Sequence, residues 1–205
     1  MSQVYWIAGG SGGGKSTIAR HLHHRYGLRI YDTDAAMSDH TRRSTPQDSP
    51  FLHRFMAMDM DERWLDRDPR TMLETFHWFR GEGFHLIADD LLQPDPRPPL
   101  VAEGFRLLPH LVKPLLDAPG HAVWLLPTPE FRVAALESRG STWSIAQHTS
   151  DPQRALANLL ERDRLFTERV AEEVEQLGLQ GIEVDGSLSE DELTERVAAL
   201  FGLKP

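Results

Sequence analysis

Short apolar runs alternate along the chain with longer segments in which apolar residues recur every three or four positions. The first pattern is typical of strands buried on both faces, and the second is typical of helices that cover a sheet. This alternation predicts an α/β fold with a parallel sheet, helices on both faces and right-handed crossovers. The five predicted strands are Gln3–Ala8, Leu28–Tyr31, Leu100–Ala102, Ala122–Leu126 and Ile182–Val184.

Several helical segments carry start or stop signals. An apolar stripe that ends before Gly27 predicts a helix after the first strand, because glycine readily terminates a helix. Pro129–Ser138 is predicted as a helix after the fourth strand, and Pro152–Leu177 as one long amphipathic helix. Ser189 and Glu192 have the spacing of a capping box, which predicts the start of the last helix.

The connections between these elements differ in length. Residues 35–93, between the second and third strands, form the largest insertion, and their apolar clusters predict helices. Residues 139–151, before the long helix, are predicted to form a mobile loop. A chain of 205 residues without a visible repeat is expected to fold as one domain over residues 1–205.

The composition indicates a globular protein and narrows the range of ligands. The net charge of -9 argues against binding to a nucleic acid, because such binding needs many cations. The first apolar run is too short to span a membrane and lacks the pattern of a secretory signal. The absence of cysteine excludes disulfides and thiolate metal sites. These features predict a cytoplasmic protein that binds neither nucleic acid nor membrane.

A glycine-rich loop lies between the first strand and the first helix. Residues 9–16 fit the pattern G-x-x-x-x-G-K-[ST]. Such a loop lets backbone amides surround a phosphate, while its lysine bridges the β- and γ-phosphates and its hydroxyl ligates Mg²⁺. We therefore expect ATP and Mg²⁺ as cofactors, with Ser16 as a metal ligand. The predicted nucleotide-binding residues are Gly10, Ser11, Gly12, Gly13, Gly14, Lys15, Ser16 and Thr17.

Two aspartates follow the second strand. Asp32 and Asp34 come at its carboxyl end, the edge at which ligands bind in open α/β sheets. One carboxylate could hold Mg²⁺ through water while the other accepts the proton of an attacking hydroxyl. The alternative is a structural turn or helix cap, a role that aspartate often fills.

Together with two further motifs, these features resemble the P-loop small-molecule kinases, the group that contains shikimate kinase, gluconate kinase, chloramphenicol phosphotransferase and the nucleoside monophosphate kinases. The further motifs are Glu103–Gly104 after the third strand and Arg162–Phe166 after the 139–151 loop. The resemblance spans nearly the whole chain. It implies a P-loop NTPase fold with strand order 2-3-1-4-5 and a lid over residues 139–151.

The resemblance also implies an activity: transfer of the γ-phosphoryl group of MgATP to a hydroxyl of a small molecule. By similarity to shikimate kinase, Asp34 is the expected base and Asp32 is expected near the metal. The third strand is followed by Glu-Gly-Phe where shikimate kinase has a glycine triplet, so shikimate itself is not the expected acceptor.

Three arginines are candidates for contact with the phosphates or the acceptor. Arg162 lies on the apolar stripe of its helix, where a charge needs a partner, and is expected to meet a phosphate or an acceptor anion. Its alternative is an ion pair with one of the carboxylates at the strand ends. Arg139 is a candidate to close over the transferred phosphate and Arg164 to bind the nucleotide, with solvated surface positions as the alternative. The predicted catalytic residues are Lys15, Asp34, Arg139 and Arg162.

The acceptor pocket is expected to draw on the insertion and the third strand. The predicted substrate residues are Asp34, Arg43, Arg80, Glu103 and Arg106, with His40 and Trp78 nearby. Alternatively, Trp78 could lie in the hydrophobic core. Arg80 and Arg106 could instead bind a carboxylate of the protein itself.

Two alternatives to this interpretation remain open. Within the enzymes, the same fold and lid serve nucleoside and nucleotide kinases. Outside them, the chain could be a nucleotide-binding regulatory module that hydrolyses ATP slowly. A GTPase is disfavoured because no Asn-Lys-x-Asp run is present, and a monomer and a homodimer are both compatible with the sequence.

Overall fold

Five parallel strands form one sheet in the computed structural model, which describes residues 3–91, 97–138 and 144–204. The strands are β1 (Val4–Gly9), β2 (Arg29–Asp32), β3 (Leu100–Glu103), β4 (Ala122–Pro127) and β5 (Gly181–Val184). They lie in the order β2-β3-β1-β4-β5, and all four neighbouring pairs are parallel. The predicted α/β class and strand order are confirmed.

Helices flank this sheet and occupy the connection between β2 and β3. Short 3-10 helices at His77–Arg80, Lys113–Leu115 and Pro119–His121 accompany them. The α-helices are α1 (Lys15–Tyr26), α2 (Met37–Arg43), α3 (Pro50–Ala57), α4 (Met60–Trp64), α5 (Pro69–Thr75), α6 (Phe84–Leu91), α7 (Pro109–Val112), α8 (Pro129–Ser138), α9 (Ser144–Gln147), α10 (Pro152–Gln176) and α11 (Glu190–Leu200).

The insertion after β2 folds into short helices because prolines and capping residues interrupt it. Pro50 and Pro69 occupy the first positions of α3 and α5, where a missing N–H costs nothing. Asp59 and Glu62 form a capping box at the start of α4, and Asp68 accepts hydrogen bonds from the first turn of α5. Helical character between β2 and β3 is thus confirmed.

The two faces of the sheet are covered by different helices. On one face, α1 and α11 bury Ile18, Leu22 and Val197 against the strands. On the other face, α10 and the insertion pack together, and the rings of Phe166 and Phe79 stack with their centroids 3.7 Å apart. The predicted amphipathic faces of α1, α10 and α11 are therefore the faces that meet the sheet.

The strand ends that carry the sequence motifs meet at one edge of the sheet. Asp32 and Glu103 are direct neighbours in the register of β2 and β3. Gly104, the next residue, has a φ angle of 145°, and a Cβ there would lie 1.7 Å from Thr33 Oγ1. Glycine is required at this position because the turn after β2 packs directly on the backbone.

Residues 139–151, predicted as a lid, are partly described. The helix α9 lies within this range, so a helical turn is present where the sequence predicts a loop. Ala146 of this helix packs in a small core with Ala155 and Leu159 of α10. Arg139 lies outside the described residues. Within the described ranges, every helix is too short or too polar to cross a lipid bilayer.

Gly104→Ala is expected to lower the free energy of unfolding by more than about 2 kcal/mol, because backbone strain and overpacking each cost about 1–3 kcal/mol. Gly178→Ala is the matched control, since Gly178 also has a positive φ angle, 64°, but a Cβ there would contact nothing within 4 Å. This control should lose only about 1 kcal/mol. Equilibrium urea unfolding measures both variants, and equal losses would contradict the role of Thr33.

Candidate active site

The glycine-rich loop between β1 and α1 has a backbone that only glycine adopts easily. Gly9, Gly12 and Gly14 have φ angles of 114°, 83° and 81°. Gly10 is constrained by packing instead, because a Cβ there would lie 2.4 Å from Thr167 Oγ1 of α10. These positions of the loop therefore require glycine, because the loop backbone adopts positive φ angles and packs closely against α10.

Lys15, the first residue of α1, is buried inside this loop. Its Nζ donates a hydrogen bond of 2.8 Å to the carbonyl oxygen of Gly10. The first turn of α1 contains no acidic residue, so the partial positive charge of the helix N-terminus adds to that of the ammonium group. The loop thus offers an electropositive site to an anion such as a nucleotide phosphate.

A small cavity of about 160 Å³ lies beside Lys15, and we call it the phosphate cavity. It combines loop backbone, an ammonium group, a hydroxyl and two carboxylates, which are the groups that phosphoryl transfer uses. Its lining residues are Ser11, Gly12, Gly14, Lys15, Ser16, Asp34, Glu103 and Phe105.

Two carboxylates of the phosphate cavity are shifted towards their protonated forms. Asp34 is exposed at the mouth of the cavity, but its partial desolvation raises its pKa; Lys15 opposes this rise and the charge of Asp32 adds to it. Burial also raises the pKa of Glu103, against the hydrogen bond from Ser16 and the charge of Lys15. A carboxylate with a raised pKa is a better proton acceptor than an ordinary one, so either group suits proton transfer.

Asp32 forms the turn that carries Asp34. Its Oδ1 accepts hydrogen bonds from the backbone N–H groups of Asp34 and Ala35, at 2.8 and 3.1 Å. Asp32 is not among the lining residues of the phosphate cavity. Its Oδ1 instead stabilises a turn, which is the structural role that the sequence also allowed for it. The turn orients the backbone of the candidate base.

Ser16 and Glu103 provide oxygen atoms that fit Mg²⁺. The Ser16 hydroxyl lies close enough to the Glu103 carboxylate to lower its pKa, and both residues line the phosphate cavity. In the described ranges, no group of three or more His, Asp or Glu side chains could hold a metal ion by itself. Mg²⁺ at phosphate sites takes one or two protein oxygens and completes its shell with phosphates and water, so two protein oxygens suffice.

A second cavity of about 340 Å³ adjoins the loop between α8 and α11, and we call it the outer cavity. It shares Gly12 and Gly14 with the phosphate cavity, and its wall is largely apolar. Its lining residues are Gly12, Gly13, Gly14, Thr17, Ile18, Phe131, Ala134, Ala135, Val184, Leu188, Glu190 and Leu193.

A third cavity of about 420 Å³ lies under the insertion, and we call it the aromatic cavity. It shares Ser11, Gly12, Asp34 and Phe105 with the phosphate cavity, so Asp34 stands at the junction of the two. Its lining residues are Ser11, Gly12, Asp34, Met37, Phe55, Trp64, Phe76, His77, Trp78, Phe79, Phe105, Ile145, Leu159, Arg162 and Asp163.

Arg162 lines the aromatic cavity. Its ion-pair partner is not one of the carboxylates at the strand ends, which the sequence suggested as the alternative. Its Nε and NH2 donate to Oδ1 of the neighbouring Asp163, at 2.9 and 2.6 Å. The guanidinium group lies 5.0–5.2 Å from the ring centroids of Trp64, Phe76 and Phe79. The charge on the apolar stripe of α10 is therefore balanced within the helix and by aromatic faces.

Arg106 lies behind the aromatic cavity and supports its wall. Its guanidinium group stacks on Trp78 at 4.0 Å, and NH1 donates to the backbone carbonyl of Thr33 at 3.1 Å. Burial lowers the pKa of Arg106 to about 10, which leaves it charged near neutral pH. Arg106 thus connects the wall residue Trp78 with the residue that precedes Asp34.

His40 and Arg43 belong to a network that joins α2 to α6. His40 Nε2 lies 2.9 Å from Asp90 Oδ2, and Arg43 NH1 donates to Asp90 Oδ1 at 2.8 Å. Partial burial would raise the pKa of Asp90, but hydrogen bonds from His40, Tyr31 and Arg43 lower it to about 2. Neither His40 nor Arg43 lines one of the three cavities.

Arg80 and Arg164 also lie outside the cavity linings. Arg80 NH1 donates to the carbonyl oxygen of Glu74, and its guanidinium group lies 4.0 Å from the ring centroid of Phe51. Arg164 donates to both carboxylate oxygens of Glu161, at 2.7 and 2.8 Å. A ligand role for either arginine remains a prediction and requires these contacts to open.

Arg132 is a residue at the phosphate loop that the sequence did not reveal. It is only 2% exposed, and it donates from Nε to the carbonyl of Ser11 at 3.3 Å and from NH2 to Thr167 Oγ1 at 2.6 Å. It therefore connects α8 to the phosphate loop and to α10. Its position in α8 carries no pattern that distinguishes it from a surface arginine.

Comparisons with known proteins establish the fold. No protein-family model matches the chain, and no curated protein matches its sequence. Among solved structures, deoxyadenosine kinase from M. mycoides with bound dATP is 12% identical over 98% of this chain and 100% of that one, with a TM-score of 0.52. The protein TT1252 from Thermus thermophilus is 20% identical over 100% and 99%, with a TM-score of 0.50. At these identities the likeness shows the fold alone, which is that of the P-loop kinases.

Asp34→Asn is expected to increase the free energy of unfolding at pH 7. Because the pKa of Asp34 is raised in the folded protein, the folded state binds the proton more tightly than the unfolded chain. Stability is therefore lost as the pH rises from the unfolded pKa through the folded pKa, and at pH 7 the ionised carboxylate opposes folding. Asparagine removes this penalty, so the gain should shrink as the pH falls towards the ordinary aspartate pKa of about 3.9.

Urea unfolding of the Asp34→Asn variant at pH 7 and at pH 4 checks this expectation. Asp61→Asn is the control of opposite sign, because the hydrogen bond from Ser150 lowers the pKa of Asp61. The control should lose stability at pH 7. A loss of stability for Asp34→Asn at pH 7 would show that Asp34 is not desolvated in the folded protein.

Proposed function

We propose that the chain is an ATP-dependent phosphotransferase that moves the γ-phosphoryl group of MgATP to a hydroxyl of a small molecule. The observation that carries this proposal is the position of Asp34, which lines both the phosphate cavity and the aromatic cavity. A base at this junction can take a proton from an acceptor in one cavity while the phosphate to be transferred lies in the other. A fold shared with a deoxyadenosine kinase supports the use of a nucleotide.

In the proposed reaction, the acceptor oxygen forms a bond to the γ-phosphorus while the bond from that phosphorus to the β–γ bridging oxygen breaks. ADP leaves, and the hydroxyl proton passes to Asp34. Lys15 and the amides at the start of α1 stabilise the charge on the phosphate oxygens from fixed positions. Mg²⁺ would be held by Ser16, with Glu103 or Asp32 acting through water, and would neutralise phosphate charge.

The outer cavity is the proposed site of the nucleoside part of ATP. It adjoins the phosphate cavity through Gly12 and Gly14, and its apolar wall suits a planar base. Phe131 of α8 and Leu188, which follows β5, supply part of this wall. The three adjoining cavities would then hold the base, the phosphates and the acceptor in a row.

Two other functions fit the same fold. A nucleoside or nucleotide kinase would use the same phosphate loop and differ only in its acceptor. A regulatory module would bind ATP and hydrolyse it slowly. Such a module does not require a general base at the mouth of a large apolar cavity. Acceptor-dependent release of ADP separates an enzyme from such a module.

Lys15→Ala is expected to lower kcat by at least about 100-fold, because it removes the cation that stabilises the transferred phosphate. Lys113→Ala is the matched control, since Lys113 donates to the Leu177 carbonyl far from the three cavities. Calorimetry with MgATP and an assay of ADP release measure binding and turnover. Near-normal turnover by Lys15→Ala, or no binding of MgATP by the unmodified chain, would refute the proposal.

Asp34→Asn is expected to lower kcat by about 100- to 10,000-fold, the contribution of a positioned base, with little change in ATP affinity. In the unmodified chain, kcat/KM should fall as the pH drops through the pKa of Asp34, and desolvation places this fall above the usual aspartate range. Asp39→Asn, in the exposed part of α2, is the control and should leave both quantities unchanged. A large loss of ATP affinity with kcat preserved would instead place Asp34 at the nucleotide.

A further inference from the structure

The wall of the aromatic cavity is built mainly from flat side chains. Six of its described lining residues are Phe or Trp. Their rings meet edge to face, with centroids 5.4 Å apart for Phe55 and Phe76 and 4.8 Å apart for Phe76 and Phe79. Such a wall offers ring faces and edges, which bind best to another flat apolar group.

The charges along this wall are balanced. In the described ranges, Arg162 is the only Lys or Arg that lines the cavity, and two of its nitrogen atoms are bonded to Asp163. Burial, together with the charges of Arg106 and Arg162, lowers the pKa of His77 to about 3, so this imidazole is neutral near pH 7. An acceptor carboxylate or phosphate would therefore meet a cation that already has its counterion.

Few polar side chains line the cavity: in the described ranges they are those of Ser11, Asp34, His77, Arg162 and Asp163. Arg162 NH1, Asp163 Oδ2 and His77 Nδ1 are buried and have no protein hydrogen-bond partner in the described ranges. A sugar carries a hydroxyl on nearly every carbon, and each hydroxyl that enters an apolar cavity without a partner opposes binding. A ring system with one or two polar atoms matches this small number of donors and acceptors.

We infer that the acceptor is an uncharged aromatic alcohol. Its ring system lies in the aromatic cavity, its hydroxyl meets Asp34, and a polar atom at its far end meets the Arg162–Asp163 ion pair. This inference rests on the proposed function, because it assigns the acceptor of the same site. It selects aromatic alcohols against sugars, hydroxy acids and phosphorylated acceptors.

Matched acceptor pairs test this inference with the full chain. 3-Phenylpropane-1,2-diol and 3-cyclohexylpropane-1,2-diol differ in the aromaticity of the ring, and adenosine and ribose differ in the presence of the base. AMP and gluconate are the charged comparisons. Release of ADP from MgATP is measured for each compound. Tryptophan fluorescence gives an independent binding measurement, because Trp64 and Trp78 line the cavity.

We expect at least one aromatic compound to be phosphorylated with a kcat/KM at least about 10-fold above that of its non-aromatic partner and of both charged compounds. A smaller preference, or a higher kcat/KM for any of the others, overturns the inference. So does the absence of both turnover and saturable binding for every aromatic compound. The proposed function stands or falls separately, on the binding of MgATP and on its transfer to any acceptor.

Phe55→Leu and Phe51→Leu are matched variants for the same test. Both phenylalanines are half-buried on α3, but only Phe55 lines the cavity, whereas Phe51 lies against the guanidinium groups of Arg54 and Arg80. Phe55→Leu should raise the KM for the aromatic acceptor about 2- to 10-fold and leave the KM for ATP unchanged. Phe51→Leu should change neither value. Equal effects of the two variants on the acceptor KM would contradict the inference.

Discussion

The close approach of two threonine side chains to glycine backbone at the carboxyl edge of the sheet is the constraint on which the rest of the site depends. Gly10 lies so near Thr167 of α10, and Gly104 so near Thr33, that a side chain at either glycine would clash. Because neither position holds a Cβ, the phosphate loop reaches α10 and the end of β3 reaches the turn after β2. Asp34, in the turn that packs on Gly104, lines both the phosphate cavity and the aromatic cavity.

Several ionisable groups of the site lie where desolvation destabilises their charged forms. The pKa values of Asp34 and Glu103 are raised, and that of Arg106 is lowered to about 10. Each shift means that the charged form is less stable in the folded protein than in water. Asp34 and Glu103 line the phosphate cavity, and Arg106 stacks on a wall residue of the aromatic cavity, while exposed ion pairs such as that of Arg25 with Asp191 lie elsewhere. Ionisable groups whose charged forms are destabilised by the fold are typical of a functional site.

The sequence predicted the features that depend on neighbours along the chain. The five strands, the helix stop at Gly27 and the capping box at Ser189 follow from local pattern, and the structure confirms each of them. The arginines of the site depend instead on packing between distant segments. Arg132 contacts Ser11, 121 residues earlier, whereas Arg80 has the same side chain and lies exposed. Nothing in the local pattern around these residues separates the two cases.

The helix α10 fixes the distance between the acceptor wall and the phosphate loop. Arg162 and Asp163 line the aromatic cavity, while Thr167 contacts the loop at Gly10 and accepts a hydrogen bond from Arg132. Arg162 and Thr167 are five positions apart, which corresponds to a rise of about 7.5 Å at 1.5 Å per residue. Because both contacts belong to one helix, the Arg162–Asp163 ion pair and the contact with the phosphate loop are held at a fixed separation. A rigid aromatic acceptor anchored at Arg162 would therefore present its hydroxyl at a defined distance from the phosphate, whereas a flexible polyol would first have to lose conformational freedom.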